Sequence, residues 1–215
     1  MARGLFVAFE GPEGGGKSTQ LLRLAARLQT DGLDPIVTRE PGGTPAADRI
    51  RDVILDAELR VDPLTELLLY AASRAQHVRE VIAPALEEGR IVLTDRFAAA
   101  SVAYQGYGRG IDLAFVRSLN ERVTDGLAPD LTLLFDLDPE VGLARVHERG
   151  TLDRLEGADV AFHVRVREGF LAQAEADPER WLVLDAGDGP GALESQVWDA
   201  IAPLLPSRQG AASPP

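Results

Sequence analysis

Leu5-Phe6-Val7-Ala8-Phe9-Glu10-Gly11-Pro12-Glu13-Gly14-Gly15-Gly16-Lys17-Ser18-Thr19 holds three signals in a fixed order: an apolar run, a glycine-rich turn and the start of a helix. Residues 5–9 read as a buried strand, and beyond the glycines Leu21, Leu24, Ala25 and Leu28 recur at helical spacing. Between them, residues 11–19 fit G-x-x-x-x-G-K-S/T, with the strand before and the helix after that the mechanism requires. Gly11, Gly14, Gly15 and Gly16 let the backbone curl so that its N–H groups and the positive end of the helix face a phosphate. Lys17 is placed to bridge β- and γ-phosphates, Ser18 to ligate magnesium, and Thr19 completes the ATP-binding set. A bound nucleoside triphosphate with Mg²⁺ is the expectation. Of 22 basic residues Lys17 is the single lysine, the rest being arginine, so the exception to a strong bias falls where the motif needs an amine.

Working outward, Asp31-Gly32 closes the first helix, with glycine as the left-handed terminator, and residues 35–38 read as a second strand. The loop Arg39-Glu40-Pro41-Gly42-Gly43-Thr44 follows. Residues 46–55 and 64–86 read as helices, the latter opening after Pro63 and carrying Leu67, Ala71, Ala75 and Val78 in one stripe, with Pro84 expected to bend or end it. Residues 91–94, 131–136 and 181–185 are apolar without polar alternation, as strands buried on both faces are. Strands alternating with helices predict an α/β chain with the three-layer P-loop NTPase fold: a five-stranded parallel sheet flanked by helices, with a short lid. A single domain over residues 1–205 is expected, with the lid near 145–157 and a disordered Pro/Gly/Ala/Ser-rich tail at 206–215.

The chain has 215 residues, 45% of them hydrophobic, enough to bury a core, and a formal net charge of −12. That charge argues against a broad grip on nucleic-acid backbone or on an anionic membrane, so an anionic ligand must meet locally gathered arginines. Absent cysteines rule out disulfides and cysteine-rich metal centres, and His77, His147 and His163 are too scattered for a histidine-built one. The five apolar residues before Glu10 are too short for a signal h-region, and a cytoplasmic location is expected.

A guanine-nucleotide switch needs an N-K-x-D motif, yet the one asparagine, Asn120, has no lysine nearby. The length suits a kinase acting on a small acceptor. Phe9-Glu10-Gly11, the phosphate loop, Arg39-Glu40-Pro41-Gly42-Gly43-Thr44, Tyr70-Ala71-Ala72-Ser73-Arg74, Asp95-Arg96-Phe97, Ala103-Tyr104-Gln105-Gly106 and Gly142-Leu143-Ala144-Arg145 together resemble the ordered motifs of thymidylate kinases, over roughly residues 4–185. The resemblance implies transfer of the γ-phosphoryl of ATP to dTMP, giving dTDP for dTTP synthesis, by a homodimer with ATP and dTMP as its small-molecule partners. Another small-acceptor kinase, or a module that only binds nucleotide, remains the alternative.

Tyr70 and Arg74 are four apart on a helix and share a face, which suits stacking on and reading a pyrimidine; taken alone they would better suit a buried tyrosine beside a surface arginine, and the other motifs shift the reading to function. Many relatives carry Phe and Asp where this chain has Tyr70 and Ser73. Asp95-Arg96 follows a strand at the end where open parallel sheets bind ligands, so Arg96 is expected to hold the acceptor phosphate, with Arg39 as second clamp. Asp95 would reach magnesium through water or position Arg96. By resemblance Glu13 points to the deoxyribose 3′-hydroxyl, Glu10 lies near the magnesium shell, Pro41 and Gln105 border dTMP, Ser101 lies near the base and Tyr104 near the sugar. Ser101 and Tyr104, three apart on an expected helix, should face one way, whereas Gly106-Tyr107-Gly108-Arg109-Gly110 reads as a flexible loop. No basic residue occupies the variable loop positions, so the catalytic arginines are expected from the lid, Arg149 and Arg154, with Arg145 packing on adenine.

Overall fold

In the computed structural model, which describes residues 3–150 and 154–205 but not the side chain of Arg149, the chain runs β1 (Phe6–Glu10), α1 (Lys17–Thr30), β2 (Ile36–Arg39), α2 (Pro45–Leu55), α3 (Pro63–His77), α4 (Ala83–Glu87), β3 (Val92–Asp95), α5 (Ala98–Ser101), α6 (Leu113–Thr124), β4 (Leu131–Asp136), α7 (Pro139–Arg149), α8 (Val160–Ala176), β5 (Trp181–Asp185) and α9 (Pro190–Ile201). The expected tail at 206–215 and the 151–153 part of the expected lid lie outside these residues. Five strands among the described residues form one parallel sheet in the order β2-β3-β1-β4-β5. The α/β class and five-stranded parallel sheet therefore stand as expected.

Alternate residues of β1 serve two cores, as the two-residue period of a strand requires. Val7 and Phe9 join Leu21, Leu24 and Leu28 of α1 and Leu193, Val197 and Ile201 of α9 in one buried cluster. Phe6 and Ala8 join Val78, Ile82 and Leu86 in another, on the opposite face. A strand with both faces covered has no polar side, which is why its sequence lacks alternation.

Pro84 neither ends nor breaks the helix that contains it. A π-helical segment, Val78–Ile82, joins α3 to α4, and the Ala83 N–H reaches back five residues to the Val78 carbonyl. The wider turn accommodates a ring that has no N–H and would otherwise clash with the carbonyl four residues earlier. A second π-helical segment, Val102–Gly108, replaces most of the expected loop at 106–110. It is packed, not flexible: a Cβ on Gly108 would lie 2.6 Å from Phe162 of α8.

Candidate active site

Strand register sets the site. Asp95 at the end of β3 pairs with Phe9 of β1 on one side and Arg39 of β2 on the other, so the phosphate loop, Asp95-Arg96 and the Arg39 loop all leave the sheet at one carboxyl edge. There they line a cavity of about 380 Å³.

The phosphate loop fits only with glycine at its contact points. Gly14 has φ 71° and a Cβ there would sit 2.4 Å from the Gly142 carbonyl oxygen, because α7 crosses directly over the loop. Gly16 caps α1 in the left-handed region without any side-chain cap, so no side chain takes up the N–H groups at this helix end, and Gly14, Gly15, Gly16 and Thr19 line the cavity there. Lys17 is buried and its Nζ donates to the carbonyls of Gly11 and Pro12 at 3.0 and 2.7 Å. Burial, reinforced by the Arg96 charge, pushes its pKa down to about 8 against the pull of Glu13, Asp95 and Glu10. Ser18 Oγ donates to Asp95 Oδ2 at 2.5 Å.

Beside the loop stands a three-membered cluster. Arg96 has φ 72°, a conformation costly for a residue with a Cβ and held by bonds from its own N–H to Phe9 and from Thr94 Oγ1 to its carbonyl. Its Nη1 donates to Gly11 at 3.0 Å, and its Nη2 donates to Glu13 Oε1 at 2.7 Å and to the Tyr104 hydroxyl at 2.9 Å. Tyr104 in turn donates to Glu13 Oε1 at 2.5 Å. Burial works against ionised Glu13, but Arg96, Lys17 and the Tyr104 bond together hold its pKa down at about 2. Arg39, Pro41, Tyr70 and Gln105 line the rest of the cavity; Arg39 Nη2 is 3.0 Å from Asp48 Oδ1. Arg145 flanks the loop from the other side, donating to the Gly14 and Ala186 carbonyls at 3.2 Å each.

Several expected residues go elsewhere. Arg74 and Ser101 meet each other rather than the cavity: Arg74 donates to Ser101 Oγ at 2.9 Å, Asn120 Oδ1 at 2.8 Å, the Phe97 carbonyl at 3.1 Å and Glu40 Oε2 at 2.7 Å. A carboxylate buried at Glu40 needs a buried cation, and Arg74 supplies it. Ser101 and Tyr104 do not share a set of partners, because the backbone passes from α-helix to π-helix after Ser101 and the three-residue spacing loses its meaning. Glu10 hydrogen-bonds to neither Ser18 nor Asp95. It lines a separate cavity of about 190 Å³, and its Oε1 caps the segment after β3 by accepting from the Phe97 and Ala100 N–H groups at 2.8 and 3.3 Å. Its Oε2 takes no hydrogen bond, and burial pushes its pKa up to about 7 despite Arg96, the Phe97 N–H and Lys17. Arg154 donates to Glu66 Oε2 at 2.6 Å and Ile54 at 3.0 Å, away from the phosphate loop, and Arg149 closes α7 with its side chain outside the described residues.

Sequence reading passed over Arg51, which lines the cavity and donates to the Pro41 carbonyl at 2.8 Å, and His77, whose Nδ1 is 3.0 Å from Glu40 Oε1 and Nε2 2.7 Å from Thr38 Oγ1. Only the helical phase of Arg51 toward the Arg39 loop could have flagged it, and nothing local marks His77.

A family model described as thymidylate kinase matches residues 9–197. The chain is 56% identical over 202 residues to the thymidylate kinase of Deinococcus radiodurans, covering 94% of this chain and 98% of that protein. It is 52% identical over 197 residues to the thymidylate kinase of an Exiguobacterium species, covering 91% and 93%. A crystal structure of thymidylate kinase from Ehrlichia chaffeensis superposes with TM-score 0.75 at 32% identity, covering 93% of this chain and 99% of that one.

Proposed function

The chain belongs to the thymidylate kinase family, and from that premise we propose how its cavity performs the transfer of a phosphoryl group from ATP to dTMP. The enzyme is a phosphotransferase that converts dTMP to dTDP in nucleotide biosynthesis. One observation carries the site reading: the phosphate loop and the Arg96–Glu13–Tyr104 cluster open into the same cavity, so a donor and an acceptor can meet end to end.

Gly14, Gly15, Gly16 and Thr19 hold the donor phosphates through backbone N–H groups, Gly11 supplies the turn, and Lys17 moves from loop carbonyls to β- and γ-oxygens. Arg145 borders the adenine. Ser18 and Asp95 present two hard oxygen atoms 2.5 Å apart beside the loop, a donor set that suits Mg²⁺ shared with triphosphate oxygens. When bound, Mg²⁺ would neutralise charge on the triphosphate. Glu10 caps the segment after β3 from the neighbouring cavity and acts on Lys17 and Arg96 through its charge.

On the acceptor side Arg96 and Arg39 clamp the dTMP phosphate, and Glu13 with Tyr104 faces the sugar, where the ring leaves no space for a 2′-hydroxyl. Tyr70 stacks on the base and Gln105 contacts its edge, while Arg74 and Ser101 support this wall from behind. The attacking phosphate oxygen is already ionised near neutral pH, its second pKa being about 6, so Lys17, Arg96 and Arg149 act by positioning and charge rather than as base or nucleophile, while Arg154 stays paired with Glu66. Tyr70→Ala should raise KM for dTMP about tenfold or more, the worth of one aromatic–base stack, with kcat little changed; an unaltered KM would remove the stacking role.

The enzyme works as a cytoplasmic homodimer in this reading, through Leu64 and Leu68 of α3 and Phe115 of α6, which are large, apolar and exposed on packed neighbouring helices. Light scattering should give twice the 23.1 kDa chain mass. No helix among the described residues is long and apolar enough to cross a membrane. The whole reading is tested by coupled ADP release with ATP and Mg²⁺ and, in turn, dTMP, dUMP, dCMP, dGMP, AMP or no acceptor. Strong dTMP turnover that EDTA abolishes is expected. Turnover with another monophosphate would displace the base-site assignment, and ATP binding without acceptor-dependent ADP release would favour a nucleotide-binding module.

A further inference from the structure

Glu66 on α3 has no place in the reaction just described, yet it is 1% exposed and stands directly behind the acceptor wall. Its Oε1 accepts from Gln105 Nε2 at 2.9 Å and Arg109 Nε at 3.3 Å, and its Oε2 from Arg109 Nη2 at 3.2 Å and Arg154 Nη1 at 2.6 Å. Both cations are fixed independently, Arg109 over the Phe162 ring at 4.5 Å and Arg154 by the Ile54 carbonyl. The carboxylate is therefore held in one orientation from two sides.

Of these residues only Gln105 lines the cavity. A glutamine amide has a donating and an accepting end, whereas a carboxylate in an ion pair only accepts. Glu66 thus commits the amide nitrogen of Gln105 to itself and leaves the carbonyl oxygen for the cavity. We propose that Glu66 is a specificity-determining positioning residue, which pins the Gln105 amide so that its oxygen selects an acceptor pyrimidine offering a ring N–H over one offering a ring nitrogen lone pair. Thymine and uracil present an N3–H donor; cytosine presents a lone pair at that position, which would oppose the Gln105 oxygen. A polar mismatch with no water to relieve it discriminates more strongly than a missing methyl group does. The inference rests on the Tyr70 end of the cavity holding the acceptor base.

The test compares kcat/KM for dTMP, dUMP and dCMP in the wild type and in Glu66→Gln, Glu66→Asp and Gln105→Leu. In Glu66→Gln the new amide can donate, Gln105 is free to turn, and the dTMP-over-dCMP ratio should fall at least about tenfold. The dTMP-over-dUMP ratio should hold, because both rings carry the N–H, and KM for ATP should not move. Glu66→Asp keeps an acceptor-only group and should keep the dCMP rejection even if overall activity drops. Gln105→Leu leaves the Glu66 ion pairs in place and should lose that rejection, which covers the case in which Glu66→Gln does not fold. A wild-type ratio in Glu66→Gln or Gln105→Leu, or equal loss in Glu66→Asp, would overturn the proposal as a packing effect. Lack of dTMP turnover in the wild type itself would instead overturn the phosphoryl-transfer reading, and this inference with it.

Discussion

Replacing Lys17 with alanine is expected to lower kcat by ~10³-fold or more while leaving the fold intact, because it removes a preorganised positive charge from the point where negative charge accumulates. Among the described residues its amine bonds only to loop carbonyls, Gly11 and Pro12, so the glycine turns that shape the loop do not depend on it. No other lysine exists in the chain to substitute for it. The buried amine also has a pH consequence. Burial and Arg96 hold its pKa at about 8, so above pH 8 a growing fraction is neutral and must take a proton from solvent when the triphosphate binds. ATP affinity should therefore weaken as pH rises through 8, with net proton uptake on binding measurable by calorimetry in buffers of different ionisation enthalpy. Steady-state kinetics that show an unchanged kcat in Lys17→Ala would remove the phosphate-loop assignment.

Arg74→Ala should be the most destabilising single change at the acceptor wall. Arg74 is 1% exposed and ties together three separate segments, through Glu40, Asn120, and Ser101 with the Phe97 carbonyl. Truncation leaves the Glu40 carboxylate buried beside His77 with its guanidinium partner gone. Breaking a buried pair from one side costs about 3–5 kcal/mol. In a chain of this size that corresponds to a fall in Tm on the order of 10 °C. Urea unfolding of Arg74→Ala, Glu40→Gln and the double variant separates the terms: the double variant should lose less than the sum of the singles, since it leaves no lone charge. A loss under about 1 kcal/mol in Arg74→Ala would mean that water reaches the site. This outcome would reopen a direct role for Arg74 on the base.

What could be read from the residues alone was whatever depends on near neighbours. The apolar runs at 131–136 and 181–185 coincide with β4 and β5, and the others fall within a residue of β1, β2 and β3; β1 and β4, covered on both faces, write their burial directly into consecutive positions, whereas β5 at the sheet edge is not buried on both faces as expected and leaves Val183 47% exposed. The phosphate loop was equally plain, since positive φ at Gly14 and Gly16 is a local demand that only glycine meets cheaply. What tertiary structure alone decided was the direction of the charged side chains. Arg74 and Tyr70 share a helical face by spacing, but one is drawn inward by Glu40, 34 residues away, and the other lines the cavity. Arg154 is held by Glu66 across 88 residues, and Glu10 caps a segment 87 residues on. A charge is buried only where a partner compensates its lost hydration, and that partner is chosen by the folding of distant segments onto one another, which no local pattern records.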